Sequence, residues 1–169
     1  MSNEKNHISE NAFIGENVKF GSNIKIWNMA YIGNDTKVGD NVMIGSLAHV
    51  DYDVTIGSNC KIEGLVYNAP KCIIGNHVFI GPSATLTNDP YPPSTKLAGV
   101  IVEDNAVIGA RSVIKAGITI GKNSVVAMGS IVTKDVPFDS VVVGSPAKII
   151  YTRAEYDAKM KNWEVSSKY

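Results

Sequence analysis

"IGNDTKVGDNVMIG", residues 32–45, places Ile32-Gly33, Val38-Gly39 and Ile44-Gly45 at a fixed interval of six residues. A helix repeats its buried face about every 3.6 residues and a strand every 2, so a strict period of six belongs to neither alone. It is the period of a supersecondary unit, a short strand followed by a turn.

The register runs both ways from this stretch, through Ile8, Ile14, Phe20, Ile26, Ile32, Val38, Ile44, Val50, Ile56, Ile62, Asn68, Ile74, Ile80 and Leu86. Asn68 is the one polar residue in that series. The fourth residue after each is usually small or β-branched, as at Ala12, Ala30, Ala48, Cys60, Cys72 and Ala84, which makes two inward positions per hexad. Past Leu86 the pattern stalls. It resumes in a new register at Val102, Ile108, Ile114, Ile120, Val126, Val132 and Phe138, which leaves residues 92–101 as an inserted loop.

A hexad cannot bury its apolar side alone, and stacking hexads builds one long core in which each coil touches only its neighbours. Three hexads close a triangular coil, so residue n lies under n+18, and the hexads found make about seven coils. At about 4.8 Å per strand spacing the prism is roughly 34 Å long. The expected architecture is all-β, with residues 1–151 in one solenoid domain and residues 152–169 in a C-terminal helix and tail. In "TRAEYDAKMKNW", Thr152 and Glu155 have capping-box spacing, and Tyr156, Met160 and Trp163 form one stripe of a short α-helix. That stripe is expected to cover the open end of the solenoid or to pack on a neighbouring subunit.

With 44% hydrophobic residues in 169, the chain has apolar surface for one continuous core. Sixteen basic and sixteen acidic residues cancel, which argues against a nucleic-acid surface or a polybasic membrane anchor and leaves a small molecule as the expected partner. The opening "MSNEKNHISE" lacks the apolar run of a signal peptide, and no stretch approaches the roughly 18 apolar residues of a membrane span, so a cytoplasmic location is expected. Cys60 and Cys72 are twelve residues apart rather than eighteen, which puts them on different sides of the coil as core thiols, not a pair.

The six-residue period resembles the left-handed parallel β-helix of the hexapeptide-repeat acyltransferases. The left hand comes from that resemblance, since the ordinary rule for parallel crossovers gives the opposite one. The resemblance implies a homotrimer with acetyl-CoA as co-substrate lying between two subunits. The ending "VVVGSPAKII", with Gly144, Pro146, Ala147 and Lys148, is similar to the Gly-x-Pro-Ala-Lys close of many such enzymes. It implies that the cofactor's phosphates lie near Lys148 and Lys134. Ala110 and Met128, eighteen apart, share a corner of adjacent coils, where their backbone N–H groups could face the pantetheine arm.

The segment "FIGPSATLTNDPYPPS", residues 79–94, resembles the corresponding stretch of bacterial N-acetyltransferases that act on the 3-amino group of nucleotide-linked sugars. There the Asn of the Thr-Asn pair lies at the reacting amine, and Asn88 matches it, with Asp89 beside it. Trp27 matches an early Trp of that group, whereas Asn28 stands where relatives carry His, and Glu63, Gly64 and Leu65 stand where they carry Gln-Asn-Asn. Trp27, Asn28 and Asp89 are the expected acceptor contacts. Asn68 either bonds backbone where Pro70 bends the coil or supports the substrate pocket from beneath.

A neutral amine needs only to be held in line, which an oriented amide carbonyl such as that of Asn88 can do, whereas a hydroxyl needs a base to take its proton. Among the three histidines, His7 is near the N-terminus, His77 occupies a turn corner, and His49 points outward beside Asp51 and Asp53. His49 is therefore the alternative catalytic residue, the base of an O-acetyltransferase. A γ-type carbonic anhydrase, built on the same repeat, would need zinc-binding imidazoles, but Pro82 and Thr87 stand where ligands are expected, so no metal is expected. A non-catalytic scaffold is a further alternative, against which the Asn88 loop and the Gly-Ser-Pro-Ala-Lys ending argue.

Overall fold

The computed structural model describes residues 6–166. Twenty two-residue strands follow one another at the hexad spacing and stack into three parallel sheets, the faces of a triangular prism. Face A begins with His7–Ile8 and holds seven of these strands and the two longer ones Ser140–Gly144 and Ala147–Thr152, face B begins with Phe13–Ile14 and holds seven, and face C begins with Lys19–Phe20 and holds six. The edges between them are called AB, BC and CA. The register is the expected one: His7 pairs with Lys25, Ile8 with Ile26 and Tyr31 with His49. This is the hexapeptide β-helix, nearly all-β with one terminal helix.

Each hexad turns its corner in the same way. Asn17, Asn41, Asp53, Asn59, Asn105 and Asn123 take φ between 55 and 60°, the left-handed region that Asn and Asp tolerate better than other side chains. On the CA edge the residue before each such corner also caps its neighbour's backbone. The Ser22 N–H donates to Asp40 Oδ1 at 2.7 Å, Asp40 N–H to Ser58 Oγ at 3.0 Å, Ser58 N–H to Asn76 Oδ1 at 2.8 Å, and Asn76 N–H to Asp104 Oδ1 at 2.7 Å. On the AB edge the same conformation is taken by Met29, Leu47 and Leu65, all exposed.

The core is the double column of inward residues, with Ile26, Ile44, Ile62, Ile80 and Ile108 fully buried under one another on face A. Buried hydroxyls find backbone carbonyls, as Thr36 does at Asp51 and Ser112 at Ala127. Asn68 does not: its side chain is fully buried and neither amide atom has a partner among the described residues. The expected backbone bonding is absent there. Cys60 and Cys72 are free and buried, and Cys60 Sγ donates to the Gly75 carbonyl at 3.0 Å.

Two expectations shift. Ile101 is already in a strand, paired with Ile73, and Val100 is fully buried, so the chain leaves the prism at Asp89 and is back by Ala98 rather than spanning 92–101. Hydrophobic periodicity could not place that exit, because Asn88 and Asp89 are polar on either reading. Phe138 is exposed and Val136 takes the inward place beneath Ile120, because the last coil is two residues short: Val126 pairs with Val142, not with a residue eighteen on. The end of the chain then folds back, Ser140–Gly144 pairing antiparallel with Ala147–Thr152.

The helix Arg153–Glu164 starts with the expected capping box: Thr152 Oγ1 accepts from the Glu155 N–H, and Glu155 Oε2 accepts from the Thr152 N–H at 2.7 Å. Its stripe does not close the solenoid in this chain. No helix residue is buried, and Met160 and Trp163 are exposed.

Candidate active site

Along face A the outward side chains change character. The early strands present Lys25, Met43 and Lys61, the later ones Phe79, Val107 and Val125. With Tyr156 of the helix on one side, these later strands form an apolar groove of about 390 Å³ that also includes Gly81, Ala110 and Met128. The glycines beside it are required by close approach. A Cβ on Gly81 would stand 2.7 Å from the Ala110 nitrogen, and one on Gly109 would stand 2.4 Å from the Met128 nitrogen.

Ala110 and Met128 occupy consecutive rungs of the AB edge, where the sequence placed them. The equivalent N–H groups on the CA edge are capped by Asp40, Ser58, Asn76 and Asp104, but the next-rung side chain beyond Ala110 is that of Met128, which has no oxygen to offer. Among the described residues neither N–H has an acceptor. Two uncommitted donors, about 4.8 Å apart along an apolar groove, suit the amide-bearing arm of an acyl carrier or the oxygen of a thioester carbonyl.

Asn88 lies on a different edge. It follows Thr85–Leu86 on face B and stands on the BC edge, at the height between Pro82 and Ala110, and its carbonyl accepts the Ala98 N–H at 2.7 Å. Asp89 is committed within the excursion, since Oδ1 accepts from the Tyr91 N–H at 3.0 Å and Oδ2 from the Ser94 N–H at 2.8 Å. These bonds, that from Ser94 foremost, hold its carboxyl below the usual range. Lys134 is on the BC edge two rungs past Asn88, and Lys148 lies on face A opposite Val143. One chain therefore does not bring Asn88 and Lys134 together with Ala110, Met128 and Lys148.

Trp27 and Asn28 lie four rungs before Ala110 on the AB side, roughly 19 Å away. The Trp27 ring centroid is 5.5 Å from that of His7, and Asn28 Oδ1 accepts from Ser9 Oγ. Asn68 points into the core and lines no groove.

His49 belongs to an outward aromatic column on face B. Its ring stacks on Tyr31 at 4.3 Å, meets Tyr67 edge-on at 5.4 Å, and Tyr31 stacks in turn on Phe13 at 4.7 Å. Asp51 Oδ2 is 3.7 Å from His49 Nε2, outside hydrogen-bonding range, and instead accepts from the Tyr67 hydroxyl at 3.2 Å. Burial, then the Asp51 charge, raise the Tyr67 phenol. His7, His49 and His77 stand on face A, face B and the CA edge, and no three metal-ligating side chains are grouped among the described residues.

Two family descriptions match the chain on either side of the excursion: "Bacterial transferase hexapeptide (six repeats)" over residues 35–67 and 53–88, and "Hexapeptide repeat of succinyl-transferase" over residues 99–134. The chain belongs to the hexapeptide-repeat acyltransferase family. Among curated proteins, 81 residues are 46% identical to a 2,3,4,5-tetrahydropyridine-2,6-dicarboxylate N-acetyltransferase of Staphylococcus aureus, over 48% of this chain and 33% of that protein. The chain thus spans about a third of the length of the curated relatives it matches. WeeI from Acinetobacter baumannii AYE superposes with a TM-score of 0.62 and 27% identity over 85% of this chain and 57% of its own. A perosamine N-acetyltransferase variant from Caulobacter crescentus, solved with CoA and GDP-perosamine, superposes with a TM-score of 0.51 and 24% identity over 85% of this chain and 55% of its own, a likeness of fold.

Sequence reading missed Phe79, Val107 and Tyr156 as groove residues. The signal was present in the outward positions, which turn from Lys61 to Phe79, Val107 and Val125, but attention to the inward register passes over it.

Proposed function

We propose that this protein transfers an acetyl group from acetyl-CoA to an amine of a nucleotide-linked amino sugar. The observation that carries the reading is the pair of uncommitted N–H groups at Ala110 and Met128 beside the apolar groove. The groove accepts the pantetheine arm and the acetyl group, with Lys148 and Lys134 toward the cofactor's phosphates. The tetrahydropyridine dicarboxylate and perosamine relatives are both named for acetyl transfer to nitrogen, and the perosamine enzyme was solved with CoA and an amino sugar carried on a nucleotide.

The acceptor nitrogen, neutral and held by the Asn88 side-chain carbonyl, attacks the thioester carbon. A C–N bond forms while the carbonyl oxygen takes up negative charge facing an edge N–H, where one donor typically supplies about 3 kcal/mol. Collapse breaks the C–S bond, and the thiolate leaves as CoA with the proton lost by the nitrogen. Trp27 and Asn28 receive the nucleotide end. Because Asn88 and Ala110 share a height but not an edge, the site is completed by a second copy, in the trimer that family resemblance implies. The exposed Met29, Leu47 and Leu65 support that assembly, since leucine in the left-handed region costs about 1 kcal/mol and gains nothing while solvated.

A second reading follows from His49, whose ring is fixed by Tyr31 and Tyr67: it is the base that deprotonates a sugar hydroxyl. Purified protein with acetyl-CoA, screened against nucleotide-linked 3-amino and 4-amino sugars and their hydroxyl counterparts with thiol release as readout, separates the two. Release with hydroxyl acceptors alone overturns the amine reading, release with none overturns both, and light scattering at the mass of one chain overturns the shared site.

A further inference from the structure

The C-terminal helix borders the groove yet has almost nothing to hold it there. Of its residues Arg153–Glu164, all are exposed except Arg153, Tyr156 and Asp157, and its apolar Met160 and Trp163, on the same stripe as Tyr156, are exposed as well. A helix without a buried face is stabilised by tertiary contacts or not at all. Lys159 Nζ stands 4.5 Å over the Tyr151 ring of the preceding strand, and the side-chain hydrogen bonds from the helix to the coils converge on Arg153.

Arg153 Nη1 donates to the carbonyl of Asn123 at 3.0 Å and to that of Asn105 at 3.2 Å, on successive rungs of the CA edge. Its Nε donates to Asp157 Oδ1, one helical turn on, at 2.7 Å, and its backbone N–H donates to the Asp139 carbonyl at 2.8 Å. The same guanidinium stands 6.0 Å from the centre of the Tyr156 ring, and Tyr156 borders the groove beside Val125 and Met128. Asn105 and Asn123 are left-handed corner residues whose carbonyls take no part in the strand ladder, so the edge offers acceptors one coil apart. A planar fork with several donors can take both carbonyls while pairing with Asp157. An ammonium, a single point charge on a flexible stem, cannot hold that geometry.

From this geometry we infer that Arg153 is a positioning residue for the acyl-CoA groove, a clamp that fixes the helix to two coils and so places the Tyr156 wall. The inference rests on the groove being the acyl-CoA site. It assigns to Arg153 no contact with the reacting atoms.

The full-length protein tests it by two measurements on the same samples: the Kd for acetyl-CoA by titration calorimetry and deuterium uptake by peptides across 153–164 and across the coils. For Arg153→Met we expect Kd to rise about tenfold, faster uptake over 153–164 and unchanged uptake in the coils. Arg153→Lys, which keeps charge but not the fork, should lie between that variant and wild type, and it serves if the methionine variant does not fold. Tyr156→Ala should raise Kd while leaving helix uptake near wild type. Arg153→Met with faster helix uptake and an unchanged Kd would overturn the clamp's role in binding, and unchanged helix uptake would overturn the clamp itself. A wild-type protein that does not bind acetyl-CoA would overturn the groove reading on which both rest, an outcome distinct from the other two.

Discussion

Ala98 donates its backbone N–H to the Asn88 carbonyl at 2.7 Å, closing the neck of the excursion from the prism. The bond uses the backbone of Asn88 and leaves its side-chain amide free of structural duty there. Asp89 staples the excursion independently, through Tyr91 and Ser94. Asn88→Ala should therefore leave thermal stability and acetyl-CoA affinity unchanged while lowering kcat by about 100-fold, or roughly 2.7 kcal/mol at the transition state. His49→Ala is the companion. A silent Asn88→Ala beside an inactive His49→Ala with an altered pH profile would transfer the chemistry to His49 and an alcohol acceptor.

The AB edge supplies its own control for deleting a backbone donor. Pro82 occupies the same corner position as Ala110, one rung earlier, so the coil accommodates a proline ring there. Ala110→Pro removes one N–H and no side-chain function. If that donor meets the thioester oxygen, kcat should fall by about 100- to 1,000-fold with the melting temperature retained. If the N–H merely faces solvent, steady-state rates with acetyl-CoA should match wild type.

The prism was legible because its period is enforced by burial: Ile26, Ile44 and Ile62 stack at +18, and a slipped register would expose them. The helix start was legible because the Thr152 and Glu155 pair is local. The exit at Asp89 and the exposed Phe138 were not, since a solenoid constrains only the residues inside it, and Val136 competes with Phe138 for the same slot. The pairing of groove and loop was legible only as a resemblance. The path of one chain does not bring Asn88 and Ala110, on different edges, together; under the proposed reading they meet only through a second copy.

Burial pushes the Cys72 thiol up to about 11. In the unfolded chain the thiol ionises near 9.0, so between these values the unfolded state loses a proton that the folded state keeps. Stability linked to this group is complete below about pH 9 and falls as pH rises toward 11, by at most about 1.4 kcal/mol per pH unit. Cys60 is raised as well, first by burial. Urea midpoints followed from neutral to alkaline pH should decline less steeply for Cys72→Val than for wild type. Parallel declines would remove Cys72 as the cause. In the folded protein at neutral pH, Cys72 should resist thiol reagents that modify it once urea is added.

Asn68 stands between Val50 and Leu86 in an otherwise apolar column, with both amide atoms buried and unpaired among the described residues. Leaving such a group without a partner costs about 1 to 3 kcal/mol, whereas an apolar side chain of similar size continues the column. Asn68→Leu should raise the urea midpoint, by the equivalent of about 2 kcal/mol if the larger side chain fits without strain. The side chain lines no groove, so kcat and the acetyl-CoA KM should not change. A lower midpoint would mean that the amide is bonded in solution. A higher midpoint with a tenfold loss of kcat would mean that Asn68 sets the course of the chain toward Asn88, one coil further on, and that stability is given up there for the site.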